Sequence, residues 1–122
     1  MNTPNNYKFR ESHEWAEING NTVKIGISDY AQHALGDIVF INLPEVGDTV
    51  KIGEAFCDIE SVKAVSEAFS PVNGKVIKIN EELEDAPELI NSDPYANWII
   101  EVEFTKLGDL MNADDYDAFD KE

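Results

Sequence analysis

Lys63 is the only cation between Lys51 and Lys75. It stands in Glu60-Ser61-Val62-Lys63-Ala64-Val65-Ser66-Glu67, between two strand-like runs, and its neighbours along the chain include Glu54, Asp58, Glu60 and Glu67. At or near a hairpin tip, its amine would point into water. Left bare, it is an ordinary surface lysine in acidic surroundings. The tip has no Gly, Asn or Asp, the residues that two-residue hairpin loops favour.

Other chemistry finds little footing. His13 and His33 are not at metal-ligand spacing, and the single Cys57 excludes an internal disulfide and a cysteine zinc site. Cys57 reads as a small buried hydrophobe rather than a reactive thiol. There is no phosphate-binding glycine loop and no G-x-S-x-G elbow. Carboxylates are so common here that a pair of them identifies no acid–base site, and no specific motif supports an enzyme.

The chain has 122 residues, with 9 Lys and Arg against 25 Asp and Glu, a formal net charge of −16. That balance argues against a nucleic-acid backbone or an anionic membrane surface as partner, since both need clustered cations. It suits either simple solubility or steering toward basic protein surfaces. The longest strongly apolar runs, such as Ile38-Val39-Phe40-Ile41, fall far short of the roughly 20 residues of a membrane span. Met1 to Arg10 has neither an apolar signal core nor a transit-peptide composition, so the expected compartment is a bacterial cytoplasm rather than a mitochondrial matrix.

The elements that must position Lys63 read as short strands between turns. Val23, Ile25 and Ile27 alternate with Lys24 and Gly26 after the turn Asn19-Gly20-Asn21. Ser28 is placed to cap a helix over Asp29 to Leu35 that Gly36 ends. Further strands are expected at 38–43, 49–52, 55–62, 65–69, 75–80 and 98–104, with Asn73-Gly74 as a turn before Lys75. One helical turn is expected at 87–90. Asn112 should cap a last helix, and Trp15 and Trp98 should fill core. His33 reads as a helix-surface residue. The acidic tail from Asp109 to Glu122 reads as the wet face of a packed helix. Residues 1–122 are expected to form one domain, mainly β, a sandwich or flattened barrel with short helices that include the C-terminal one.

Gly47 and Gly74 lead strands on either side of the lysine hairpin, an arrangement that resembles the biotinyl/lipoyl carrier fold. In that fold the central lysine is acylated. Biotin carriers usually place Met on both sides of it, whereas Val62 and Ala64 stand there, which points to lipoyl. The resemblance then spreads over nearly the whole chain. Ser12-His13-Glu14-Trp15, Gly26-Ile27-Ser28-Asp29-Tyr30-Ala31-Gln32, Leu35-Gly36-Asp37-Ile38-Val39, Leu43-Pro44-Glu45-Val46-Gly47, Glu60-Ser61-Val62-Lys63-Ala64 and Ser70-Pro71-Val72-Asn73-Gly74 are similar to the H proteins of the glycine cleavage system. So are Asn80, Asn91-Ser92-Asp93-Pro94-Tyr95 and Trp98. The chain departs from that family at Cys57, where glycine is frequent, and at Ala96-Asn97, where a glycine-containing stretch is usual.

The resemblance implies a carrier and not a catalyst, with lipoic acid in amide linkage to Lys63. It implies an aminomethyl group received from a pyridoxal-phosphate glycine decarboxylase (the P protein) and passed to an aminomethyltransferase (the T protein). A dihydrolipoyl dehydrogenase (the L protein) would reoxidise the arm, and a lipoate ligase or an octanoyl/lipoyl transferase would install it. It places Ser12, Glu14 and Glu67 along a cleft that shelters the loaded arm. Two other readings stand beside it: an H-like protein that relays lipoyl or octanoyl groups to other enzymes, and an unmodified β-sandwich binding module.

Overall fold

The run Thr22–Ile27 takes the form its alternation predicts, with Val23, Ile25 and Ile27 buried and Lys24 half-buried. Gly26 lies under the Trp15 ring, where a Cβ would stand 2.6 Å from Cζ2. The computed structural model describes residues 6–120. In chain order the elements are β1 (Lys8–Phe9), β2 (Glu14–Asn19), β3 (Thr22–Ile27), α1 (Asp29–Leu35), β4 (Ile38–Asn42) and β5 (Thr49–Val50). Then come β6 (Ala55–Ser61), β7 (Val65–Phe69), β8 (Val72–Ile79), α2 (Glu82–Asp85), α3 (Leu89–Ser92), β9 (Ile100–Leu107) and α4 (Ala113–Asp120).

These strands pair antiparallel into two sheets, ordered β1-β2-β3-β9-β8-β5 and β4-β6-β7. Ile25, Val76, Ile100 and Val102 of the larger sheet share one apolar core with Ile41, Ile59 and Ala68 of the smaller. This is the β-sandwich with short helices that the strand spacing implies. A second cluster joins Phe9 and Trp15 to Tyr95, Ala113 and Tyr116, so α4 is docked on the sheet through its apolar side. Asn112 caps α4, its Oδ1 accepting from the Asp115 amide at 2.8 Å. Asp114 and Asp115 are exposed on its other side. Lys121 and Glu122, the end of the acidic tail, lie outside the described residues.

Several expectations need correction. The sequence suggests no strand at β1, which has too few residues to show a period; it pairs with β2, with Lys8 opposite Ala16 and Phe9 opposite Trp15. Trp15 is core as expected, but Trp98 lies just before β9 and is only half-buried, with the Lys24 ammonium over its ring. The acidic excursion after Ile79 holds two helical turns, α2 and α3, each pinned by one buried side chain, Leu83 and Ile90. Asn73-Gly74 is not a turn. β8 begins at Val72 and runs through it, with a register shift between Asn73 and Gly74. Glycine is needed there for close approach: a Cβ would lie 2.7 Å from Val102 Cγ1 and 2.8 Å from Phe104 Cα, and would press on the Glu103 carbonyl. A second shift between Val76 and Lys78 accounts for Val76, Ile77 and Ile79 not sharing one face.

The backbone of β9 leaves a side chain at 74 nowhere to go. Gly74→Ala is expected to lower the unfolding free energy by about 3 kcal/mol in urea titration. A loss under about 0.5 kcal/mol would mean that the β8–β9 pair opens freely.

Candidate functional site

The tip between β6 and β7 is Val62-Lys63-Ala64. Ser61 closes it. The Ser61 amide donates to the Ala64 carbonyl at 2.8 Å, and Ser61 Oγ accepts from the amides of Lys63 at 3.3 Å and Ala64 at 3.1 Å. A hydroxyl satisfies the donors that a tighter loop would turn with glycine or asparagine. His13 is the only non-glycine residue at positive φ among the described residues, so the tip has no need of Gly, Asn or Asp. One further bond ties it to the body of the protein, from the Val62 amide to the Asp37 carbonyl at 3.0 Å.

Lys63 is exposed. Its stem lies against Gly36, the residue that ends α1 at φ 80°. A Cβ on Gly36 would sit 3.2 Å from Lys63 Cε. Gly36 therefore serves twice, as the helix stop and as the gap through which the stem passes. The helix itself begins as its sequence suggests, with Ser28 Oγ accepting from the Ala31 amide at 3.2 Å.

A cleft of about 200 Å³ lies between α1 and β7. Its polar lining is Ser12, His13, Glu14, Ser66 and Glu67; its apolar lining is Ile27, Ile59 and the α1 residues Tyr30, Ala31, Ala34 and Leu35. Ser66 is three residues along the chain from Lys63, about 10 Å at roughly 3.3 Å per residue. Leu35 is the neighbour of Gly36. The cleft thus runs back from the hairpin as an apolar track with carboxylates in it.

Among the described residues Glu14 is the one buried acid, 2 % exposed. Its Oε2 accepts from the Phe69 amide at 2.9 Å. Its Oε1 accepts from Ser12 Oγ, which in turn accepts from the Arg10 guanidinium. Burial pushes the Glu14 carboxyl above its ordinary value; the Ser12 and Phe69 bonds and the Arg10 charge pull the other way without cancelling it. The backbone at His13, φ 79°, is the bend that leaves both Ser12 and Glu14 facing the cleft. Tyr116 of α4 steadies that bend, with its hydroxyl 2.6 Å from His13 Nδ1 and 2.7 Å from Ser28 Oγ.

Of the residues singled out in the sequence, Ser12, Glu14 and Glu67 come together in this one cleft, beside the hairpin that carries Lys63. His33 is exposed on α1 and is not part of the lining. Cys57 is buried in β6, and burial drives its thiol far up, away from reactivity. The sequence assigns no site role to Arg10, Tyr30, Ser66 or Tyr116. The alternation of β7 could have suggested Ser66, but Arg10 and Tyr116 act through contacts distant in sequence. Among the described residues, no group of His, Cys, Asp and Glu is placed to hold a metal ion, and no helix is long and apolar enough to cross a membrane.

A lone lysine on a clipped hairpin of the smaller sheet, beside a carboxylate-bearing cleft, defines a β-sandwich of the biotinyl/lipoyl carrier type. The profile of the glycine cleavage H-protein family matches residues 7–122. The glycine cleavage system H protein of Alkaliphilus oremlandii is 52% identical, covering 98% of this chain and 96% of its own. That of Brevibacillus brevis is 52% identical over the full length of both. The crystal structure of a glycine cleavage system H protein from Mycobacterium marinum superposes with a TM-score of 0.92 at 37% identity, covering 98% of this chain and 99% of that one. The chain belongs to the glycine cleavage H-protein family.

The raised Glu14 carboxyl makes a signed prediction. The fold favours the protonated acid, so its contribution to stability is full below the unfolded value and is lost as pH rises through the folded one. The unfolding free energy of the wild type minus that of Glu14→Gln should therefore fall as pH rises from about 4.3, then level off. A difference that rises over this window would mean that the Arg10–Ser12 relay outweighs burial.

Proposed function

We propose that this protein carries a lipoyl group in amide linkage to Lys63 and serves a glycine cleavage system as its mobile carrier. The amide replaces the ammonium, taking the formal net charge from −16 to −17. The dithiolane of lipoic acid supplies the sulfur that accepts the aminomethyl unit and the disulfide that is reduced in doing so. The partners are a pyridoxal-phosphate glycine decarboxylase, an aminomethyltransferase and a dihydrolipoyl dehydrogenase, with a lipoate ligase or octanoyl/lipoyl transferase acting earlier on Lys63. A rigid hairpin suits this work, because a tethered group reaches each active site at high effective concentration.

The observation that carries the reading is the convergence of Ser12, Glu14 and Glu67 on a cleft beside the Lys63 hairpin. Apolar Leu35, Ala34 and Ile59 suit the methylenes of the arm, and the carboxylates suit a cationic amine at its end. An arriving ammonium would favour the ionised Glu14 and offset the cost of its burial. The protein's own part is to hold the amine, exclude water from it and release it again.

Intact mass after incubation with a lipoate ligase tests the first step. One lipoyl group should add to the wild type and none to Lys63→Ala; a wild type that stays bare refutes the carrier reading. The lipoylated wild type should then support glycine–bicarbonate exchange with the other components. The cleft is tested separately. In the aminomethyl-loaded protein, Glu14→Ala and Glu67→Ala should each speed ammonia release by about tenfold, the loss of one charge-assisted bond. Unchanged rates would remove both carboxylates from the site.

A further inference from the structure

We propose that Asn91 is a positioning residue for Lys63, setting both the seat of the hairpin tip and the adjoining end of the cleft wall. The proposal rests on the reading of Lys63 as the attachment point. Asn91 belongs to α3, in a segment remote from the hairpin in sequence, yet its amide fills three hydrogen-bonding positions across the fold. Nδ2 donates to the Gly36 carbonyl and to Gln32 Oε1, both at 2.9 Å. Oδ1 accepts from the Ile38 amide at 2.9 Å. An asparagine has two donors and an acceptor oxygen to give, and here all are engaged.

Those bonds grip the chain on both sides of Asp37. The Asp37 carbonyl accepts from the Val62 amide at the tip, and Gly36 is the surface along which the Lys63 stem runs. The tip's attachments to the body of the protein therefore hang on the stretch that Asn91 holds. Gln32 and Gly36 also fix the last turn of α1, which has no buried residue of its own. That turn supplies Leu35 to the cleft. One side chain thus sets both where an arm leaves the hairpin and the wall it meets. Asn91 has a firm base for this, because Ile90 beside it is fully buried.

A control lies in the same segment. Asn97 Nδ2 donates to the carbonyls of Leu89 at 3.0 Å and Asp93 at 2.9 Å, supporting the α3 region without bonding to Gln32, Gly36 or Ile38. Amide hydrogen exchange at Val62, measured on the whole chain, should speed up about tenfold in Asn91→Ala and stay within about twofold in Asn97→Ala. Asn91→Asp keeps the acceptor for Ile38 but loses both donors, so it should resemble Asn91→Ala; it also carries the test if the alanine variant does not fold. In lipoate transfer, both Asn91 variants should raise KM for the protein severalfold with kcat held, since the amine is unaltered once captured. Val62 exchange unchanged in the Asn91 variants, or raised equally by Asn97→Ala, would overturn the proposal. A wild type that takes up no lipoyl group would instead refute the carrier reading, and the exchange comparison would still decide the role of Asn91.

Discussion

A carboxylate held between two sheets is the constraint around which the molecule is arranged. Glu14 starts β2 in the larger sheet, and its oxygen takes the Phe69 amide at the end of β7 in the smaller one. β7 is an edge strand, so that amide has no strand partner on its outer side. A buried carboxylate without partners costs several kcal/mol, and so does leaving buried amides unmet. Here each group satisfies the other. The bond fixes how the hairpin strand stands against β2, and with it the width of the cleft. Ser12 and Arg10 complete the arrangement, and the unusual backbone at His13 is what it costs locally.

Much of the fold was legible because local pattern and tertiary environment agree. The helix Asp29–Leu35 was readable to the residue, since Ser28 and Gly36 mark its ends by side-chain and backbone chemistry that acts over three or four residues. The alternation of Thr22–Ile27 was equally plain. What failed did so for an identifiable cause. Asn73-Gly74 has the composition of a turn, yet Gly74 is there because β9 comes too close for a Cβ. Crowding from a distant strand leaves the same residue behind as a left-handed turn does, and one sequence cannot separate the two.

The site was legible in a different way. Lys63 stood out by its isolation among acids and by a tip without turn residues. The placement of Ser12, Glu14 and Glu67 came from family likeness, since nothing in their spacing brings residues 12, 14 and 67 together. Antiparallel pairing and the packing of two sheets do that. Glu14 was one acid among 25, and only burial distinguishes it. The parts played by Tyr116 and Asn91 were out of reach, because each bonds through its side chain to elements far from it in sequence.

The serine-closed tip has a consequence for how far a tethered group can wander. With no glycine in the loop and its amides bonded to Ser61 and Asp37, the backbone at Lys63 has little freedom of its own. The volume swept by anything attached there is then set by the bonds of the attachment and not by motion of the hairpin. Its anchor stays at one point on the surface, so the space searched is a shell of fixed centre. Lengthening the attachment dilutes the group within that shell, and shortening it narrows the set of pockets it can enter.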